Sequence, residues 1–451
     1  MFLHNLLLIL ECLLLIVFNH DALGREIATK ASFSVISGIQ YAHILDVPGN
    51  SNNAVLRIPN QRFFLEARPD ASLDYDILKI MLRPRGVYTW DRIEYASSLG
   101  SAPAKKTIEH SDGYLSEGFA ILDLTESASL TLGRHNFQWG PAESLSPSNF
   151  IFHETVADRG VFFEAPGKDL VRLNYTPFKA LSAVTLFELH ENRDVNPYGA
   201  FQSFRPSALL KLELSWSGGA EYAGFTIIRH EAQLSREDSQ KSSWKSRISW
   251  GEYFNVTVPF IDGLSFYGDL GHQRGSSGWY PSADPGTKIP TFSKKYLEST
   301  TLKTTSVLGI RYDFIEGEIL RLEYLRDEHA YGASEKKLAT QALIPTSPED
   351  LARIRRNLEA YWNPGIDMRS PEAYFISYTV PNAFNIKGFI LLARQSWEPI
   401  GSSSWFYFSS EYRIGDSGTL SYSGMLTAGA REGGLRGTRS PSHTFAYRHD
   451  W

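Results

Sequence analysis

Counting back by twos from the final residue, Trp451, gives His449, Tyr447 and Phe445 on one side of an extended chain, with Asp450, Arg448 and Ala446 on the other. Such a period-2 segment is a strand with one aromatic face and one polar face. If the aromatic face meets lipid, the polar face needs water, and a closed barrel supplies both without leaving an unpaired edge.

The pattern recurs along the chain in segments of roughly ten residues, the length a tilted strand needs to cross a bilayer. Residues 208–216 place Leu210, Leu212, Leu214 and Trp216 on one face and Lys211, Glu213 and Ser215 on the other. Residues 304–314 set Leu308, Ile310, Tyr312 and Phe314 against Arg311 and Asp313, and residues 403–414 set Phe406, Phe408, Tyr412 and Ile414 against Glu411 and Arg413. In a barrel these charges, together with Arg247, Arg321 and Glu323, line the lumen. Tight turns are expected near Leu73, Ser127, Gly218, Asp262, Gly317, Asn382 and Asp416. Long polar segments are expected at 91–113, 138–158, 191–206, 274–303, 330–371 and 429–441. The expected fold is all-β: a single antiparallel transmembrane barrel of about 18 strands with short turns at the periplasmic rim and long extracellular loops. Residues 159–175 are taken as one bulged strand, because a turn at Pro166-Gly167-Lys168-Asp169 would break the up-down parity; a barrel of about 16 strands is the alternative count. The one expected helix opens at Pro348-Glu349-Asp350-Leu351 and runs to about Tyr361.

The hairpin at Gly317 permits a register. A three-residue loop Glu316-Gly317-Glu318 with Gly317 in the left-handed region pairs Asp313 with Arg321 and Arg311 with Glu323. On the other face Phe314 then meets Leu320, Tyr312 meets Leu322 and Ile310 meets Tyr324, so both faces are satisfied at once.

At the N-terminus, Leu6–Leu10 and Cys12–Phe18 form an apolar stretch, followed by the small-residue site Ala22-Leu23-Gly24. Residues 1–24 are read as a signal peptide and 25–451 as the barrel. Cys12 is the only cysteine, so the exported chain would have no thiol for a disulfide or a Cys-based metal site. Removing Glu11 and Asp21 moves the formal charge from −5 to −3, which gives no reason to expect nucleic acid as a partner. The twelve histidines show no metal-ligand spacing, and no nucleophile elbow or phosphate-binding glycine loop is present, so no catalytic residues, metal or cofactor are expected.

Residues 132–149, Leu132-Gly133-Arg134-His135-Asn136-Phe137-Gln138-Trp139-Gly140-Pro141-Ala142-Glu143-Ser144-Leu145-Ser146-Pro147-Ser148-Asn149, form the most distinctive stretch. Rings, carboxylates and bases cluster there and just beyond. Residues 138–158 are expected to fold into or over the lumen, where such a loop narrows a wide barrel and puts its charges close to the permeant. Arg134, Trp139, Glu143, His153, Glu154, Asp158 and Arg159 are the expected constriction or ligand residues, with Arg134 and Arg159 at the loop base pairing with Glu143, Glu154 or Asp158. Aromatic rings beside hydrogen-bonding groups also suit a saccharide.

The terminal strand, the signal-like start and the loop asymmetry resemble the outer-membrane barrels of Gram-negative bacteria. The Gly-Arg…Gln-Trp-Gly-Pro…Leu-Ser-Pro-Ser-Asn run is similar to a loop in the capsule-assembly lectins and the alginate-export barrels. The resemblance implies an outer-membrane location with lipid and lipopolysaccharide around the barrel. It also implies recognition of Phe445, Tyr447 and Trp451 by the barrel-assembly machinery. The expected function is a passive, non-enzymatic channel for small hydrophilic solutes, saccharides among them; a polysaccharide-binding or polysaccharide-exporting barrel is the alternative.

Overall fold

The computed structural model describes residues 28–44, 53–55, 57–97, 102–152, 162–188, 207–233, 244–276, 278–283, 290–294, 297–344, 351–362, 365–400, 403–429 and 441–451. The signal-peptide reading therefore lies outside the described residues.

The strands run in chain order: β1 (Ala28–Ala42), β2 (Gln61–Tyr75), β3 (Leu78–Ala96), β4 (Pro103–Thr125), β5 (Ala128–His135), β6 (Lys168–Phe178), β7 (Leu181–Glu188), β8 (Ser207–Trp216), β9 (Glu221–Gln233), β10 (Trp244–Thr257) and β11 (Leu264–Ser276). A small hairpin of β12 (Trp279–Ala283) and β13 (Pro290–Lys294) precedes β14 (Leu297–Asp313), β15 (Ile319–Asp327), β16 (Glu372–Val380), β17 (Phe389–Glu398), β18 (Ser403–Ile414), β19 (Gly418–Gly429) and β20 (Ser442–Asp450). Leaving out β12 and β13, each strand pairs antiparallel with its neighbour in sequence, and β1 pairs with β20 to close an 18-stranded barrel. Closure satisfies every strand edge within the sheet, the condition for crossing hydrocarbon with strands.

Alternation decides which face looks where. Leu210, Leu212, Leu214, Phe266, Leu308, Ile376 and Phe445 are exposed large apolar residues on the outward face. That face is a continuous apolar surface, too large for water and suited to lipid. At its upper edge, where β15, β16 and β17 approach the long loops, Tyr324 meets Tyr374 at a tilt, centroids 5.4 Å apart, and Tyr374 stacks on Trp397 at 5.5 Å. Rings of this kind anchor a barrel at the membrane interface. Folded protein is expected to migrate faster than boiled protein on a mild-detergent gel; coincident bands would contradict closure.

Several boundaries differ from expectation. The first tight turn lies at Asp76-Ile77, three residues beyond Leu73, because Asp76 takes the left-handed conformation (φ 52°). A turn at residues 179–180 was not expected at all. The segment 159–175 is not one bulged strand: residues 165–167 carry no strand, β6 starts at Lys168, and the turn at 179–180 restores the parity. Pro166 has no amide hydrogen to offer a ladder. Residues 91–113 are mostly strand, since β3 and β4 stay paired out to Ala96 and Pro103.

The Gly317 hairpin shows an instructive slip. Gly317 is left-handed (φ 92°), but Asp313 pairs with Ile319, Tyr312 with Leu320 and Arg311 with Arg321, two residues away from the expected register. A slip of two keeps every side chain on its face, so hydrophobic alternation cannot distinguish the two registers. The charges resolve it elsewhere: Arg311 pairs along its own strand with Asp313 at 2.8 Å, and Arg321 reaches a loop.

Among the described residues, two helices stand between β15 and β16. The expected one is α2 (Leu351–Trp362); α1 (Ala333–Ala342) was not foreseen, its side chains giving only a faint apolar stripe. Glu335 accepts from the Gly332 amide at 2.7 Å and caps α1. Tyr280, Phe292, Tyr331, Ala339, Ala342, Ala360 and Tyr361 form a small core joining both helices to the β12–β13 hairpin. Val55, from the loop between β1 and β2, packs with Ile354 and Leu358 of α2. Loops from three parts of the rim thus share one cap. Burial there pushes the Tyr331 phenol up and the Lys336 ammonium down from their ordinary ranges, and Tyr331 donates to the Trp279 carbonyl at 2.6 Å.

Candidate permeation site

After β5 the chain does not turn back at the rim. Trp139, Ile151 and Phe152 pack with Leu170, Val184, Leu186, Leu209, Ile228 and Tyr253, inward residues of β6 to β10. A few residues along, Leu145 packs with Val307, Leu325, Phe375, Trp405 and Tyr407, inward residues of β14 to β18. Residues 136–152 therefore lie against the inner wall over more than half its circumference. Apolar inward positions in an otherwise polar lumen are the wall's half of this contact, and burial of both halves is what makes it favourable.

Polar contacts fix the register of the loop on the wall. Glu323 accepts from the Glu143 amide at 2.7 Å, the Ser144 amide at 3.0 Å, the Ser144 hydroxyl and the Tyr267 hydroxyl at 2.8 Å. Asp269 accepts from the Ser148 amide and the Ser146 hydroxyl, both at 2.7 Å. Thr226 donates to the Ser148 carbonyl at 2.9 Å. The Glu143 carboxylate is held by Arg321 and Arg394, each at 2.8 Å, and by the Ser377 hydroxyl at 3.1 Å. A carboxylate shared by two guanidiniums is a strong, directional arrangement.

The returning limb meets a different wall. Arg68 donates to the Phe162 carbonyl at 2.6 Å, and Arg85 grips Glu164 through two nitrogens at 2.8 and 2.9 Å. Arg85, 2 % exposed, also pairs with Asp70 at 2.8 Å, while Arg83 pairs with Glu117 and lies 3.8 Å from Asp70. The Gly167 amide then donates to the Ser116 carbonyl at 2.8 Å, and β6 begins.

The residues singled out from the sequence fall in several places. Glu143 is at the centre of the contact with β15 and β17, and Trp139 is buried against the β6–β10 wall. Arg134 sits at the loop base, next to the end of β5, but does not face the loop carboxylates. It lies on the outward side with Leu132 and pairs across the ladder with Asp169 at 2.9 Å. The period-2 rule explains this, because His135 next to it takes the inward position. His153, Glu154, Asp158 and Arg159 lie outside the described residues. Lys211, Glu213, Arg247, Arg311, Asp313, Arg321, Glu323, Glu411 and Arg413 all carry the inward parity of their strands. Of these Glu323 and Lys211 are buried, the latter paired with Glu213 at 2.9 Å. Arg311 and Asp313 pair near the short-turn rim, clear of the loop. Phe445, Tyr447 and Trp451 face outward on the closing strand.

Sequence reading missed Asp269, Ser377, Arg394 and the cluster on β2 to β4. Only Asp269 had a usable signal, an inward carboxylate in Gly268-Asp269-Leu270-Gly271, where small neighbours leave room for another segment.

No family model matches the chain, and no curated protein matches it in sequence. Solved structures do. Acinetobacter baumannii OccAB1 superposes with a TM-score of 0.51 at 10% identity, over 94% of this chain and 96% of that one. Pseudomonas aeruginosa OccK11 (OpdR) gives 0.50 at 10% identity, over 94% and 95%. Pseudomonas aeruginosa OccK5 (OpdH) gives 0.50 at 10% identity, over 94% and 97%. The fold is that of an outer-membrane porin. At this identity the likeness speaks for the porin fold alone. The apolar belt around a closed sheet is the surface of a barrel that crosses a membrane with its strands.

Proposed function

We propose that the protein is a passive channel for small hydrophilic solutes, narrowed by residues 136–152. The observation that carries this reading is the seat of Glu143: a loop carboxylate inside the barrel, clamped between Arg321 of β15 and Arg394 of β17. A loop held on the inner wall reduces the cross-section available to solute, and its charges act at short range on what passes. The described charges are of both signs, so selection works through local pairs rather than one dominant field. Of the rings that suggested saccharide stacking, Trp139 and Phe152 are turned into the wall, and Phe137 and Phe150 are partly buried against them. Selectivity among saccharides and other solutes then rests on the charged and hydroxyl groups.

Planar-bilayer recording tests this. A steady ohmic current is expected, and deleting residues 141–148 should raise the single-channel conductance. A barrel that carries no steady current but retains polysaccharide on a column would support the binding or export alternative. Unchanged conductance in a correctly assembled deletion variant would place the loop outside the permeation path.

A further inference from the structure

We infer that Asp269 and Glu323 are positioning residues that set the width of the passage by holding the loop to the wall; this rests on the channel reading. Asp269 is 0 % exposed and Glu323 3 % exposed, on the inward faces of β11 and β15. A carboxylate enclosed in this way is sustained only by donors aimed at it. Apart from the Tyr267 hydroxyl on Glu323, the donors come from the loop: three backbone amides (Glu143, Ser144, Ser148) and the hydroxyls of Ser144 and Ser146. The wall thus grips the loop by its main chain, at the stretch that carries Glu143.

A second, independent feature sets how close the loop lies. Gly251 and Gly271 are cross-strand partners on the inward faces of β10 and β11, and they form a shallow seat beside Asp269, on the side away from Glu323. A β-carbon at Gly251 would stand 2.7 Å from the Ser148 α-carbon, and one at Gly271 would run into the Pro147 carbonyl. Gly140, left-handed at φ 93°, would likewise drive a β-carbon into Asp269. The seat fixes the approach, and the two carboxylates keep the loop in it.

The two features predict changes of opposite sign. In an Asp269→Asn, Glu323→Gln double variant, amide NH2 groups compete with acceptor oxygens in front of loop N–H donors, so the loop should leave its seat. The expected result is a larger polyethylene glycol entering the pore, with noisier single-channel current. Neutral polymers report size independently of the two lost charges. Gly271→Ala should push the loop toward the axis, lowering conductance and excluding smaller polymers. Glu323→Asp keeps an acceptor and should stay nearer the wild type in polymer cut-off than Glu323→Gln.

A purely structural role would lower the unfolding temperature and leave the polymer cut-off of the assembled channel unchanged. That outcome in the double variant would overturn the inference. Should the double variant fail to assemble, Gly271→Ala decides: a wild-type cut-off and conductance would overturn the inference equally. Absence of any steady wild-type current would instead overturn the channel reading on which it rests.

Discussion

Replacing Glu143 by Gln is expected to turn the channel toward anions. The substitution keeps the length of the side chain, so the loop retains its amide contacts to Glu323, but it leaves Arg321 and Arg394 without the carboxylate that both now hold. A unit charge at 4 Å is worth about 1 kcal/mol even in bulk water, so the anion-to-cation permeability ratio should rise by a factor of roughly five. Reversal potentials across a salt gradient measure it. The complementary Arg394→Gln should move the ratio the other way by less, since Arg321 still neutralises Glu143. A reversal potential unmoved by Glu143→Gln would show that permeating ions never approach this triad. Raising the ionic strength should shrink the shift, because the charges of a water-filled passage are screened over about 8–10 Å at 0.1–0.15 M salt.

Removing residues 442–451 should abolish assembly altogether. β20 is paired on one side with β19 and on the other with β1, and the Trp451 amide donates to the Phe33 carbonyl at 2.8 Å while Phe33 donates back at 3.2 Å. Their rings meet at 5.4 Å outside the seam. Without this strand, β1 and β19 present unpaired edges to hydrocarbon, each unsatisfied backbone group costing several kcal/mol. No heat-modifiable species should appear in the outer-membrane fraction. Trp451→Ala leaves the backbone ladder intact and should reduce the yield without eliminating it. Normal yield of the truncated chain as a folded band would mean that the seam is closed in another way.

Much of this architecture was legible because a barrel imposes one simple rule, alternation, on every strand. Leu210, Leu212 and Leu214 against Lys211 and Glu213 need an apolar surrounding on one side and water on the other, and the structure keeps that division. Period-2 alternation is blind to even shifts, so the Gly317 hairpin sits two residues from its expected register with all faces correct. It is equally blind to where strands end. Residues 91–113 read as a polar loop, since strands that extend beyond the membrane no longer need an apolar face, yet their ladder continues there.

The loop divides the same way. Its composition marked residues 132–149 as unusual, and Glu143 as a charge to watch. Which residues meet Glu143 was not readable: Arg321, Ser377 and Arg394 lie 178, 234 and 251 positions further along. Arg134, nine residues before Glu143 and opposite in charge, faces the other side of the sheet and pairs with Asp169. By itself the sequence determined the class of fold, the inward and outward faces and the strand that closes the seam, because lipid on one side and water on the other act on each short segment separately. Only the tertiary structure decided which inward groups hold the loop and how closely it lies, because those contacts depend on closing the ring, which brings β11, β15 and β17 to a segment that leaves β5.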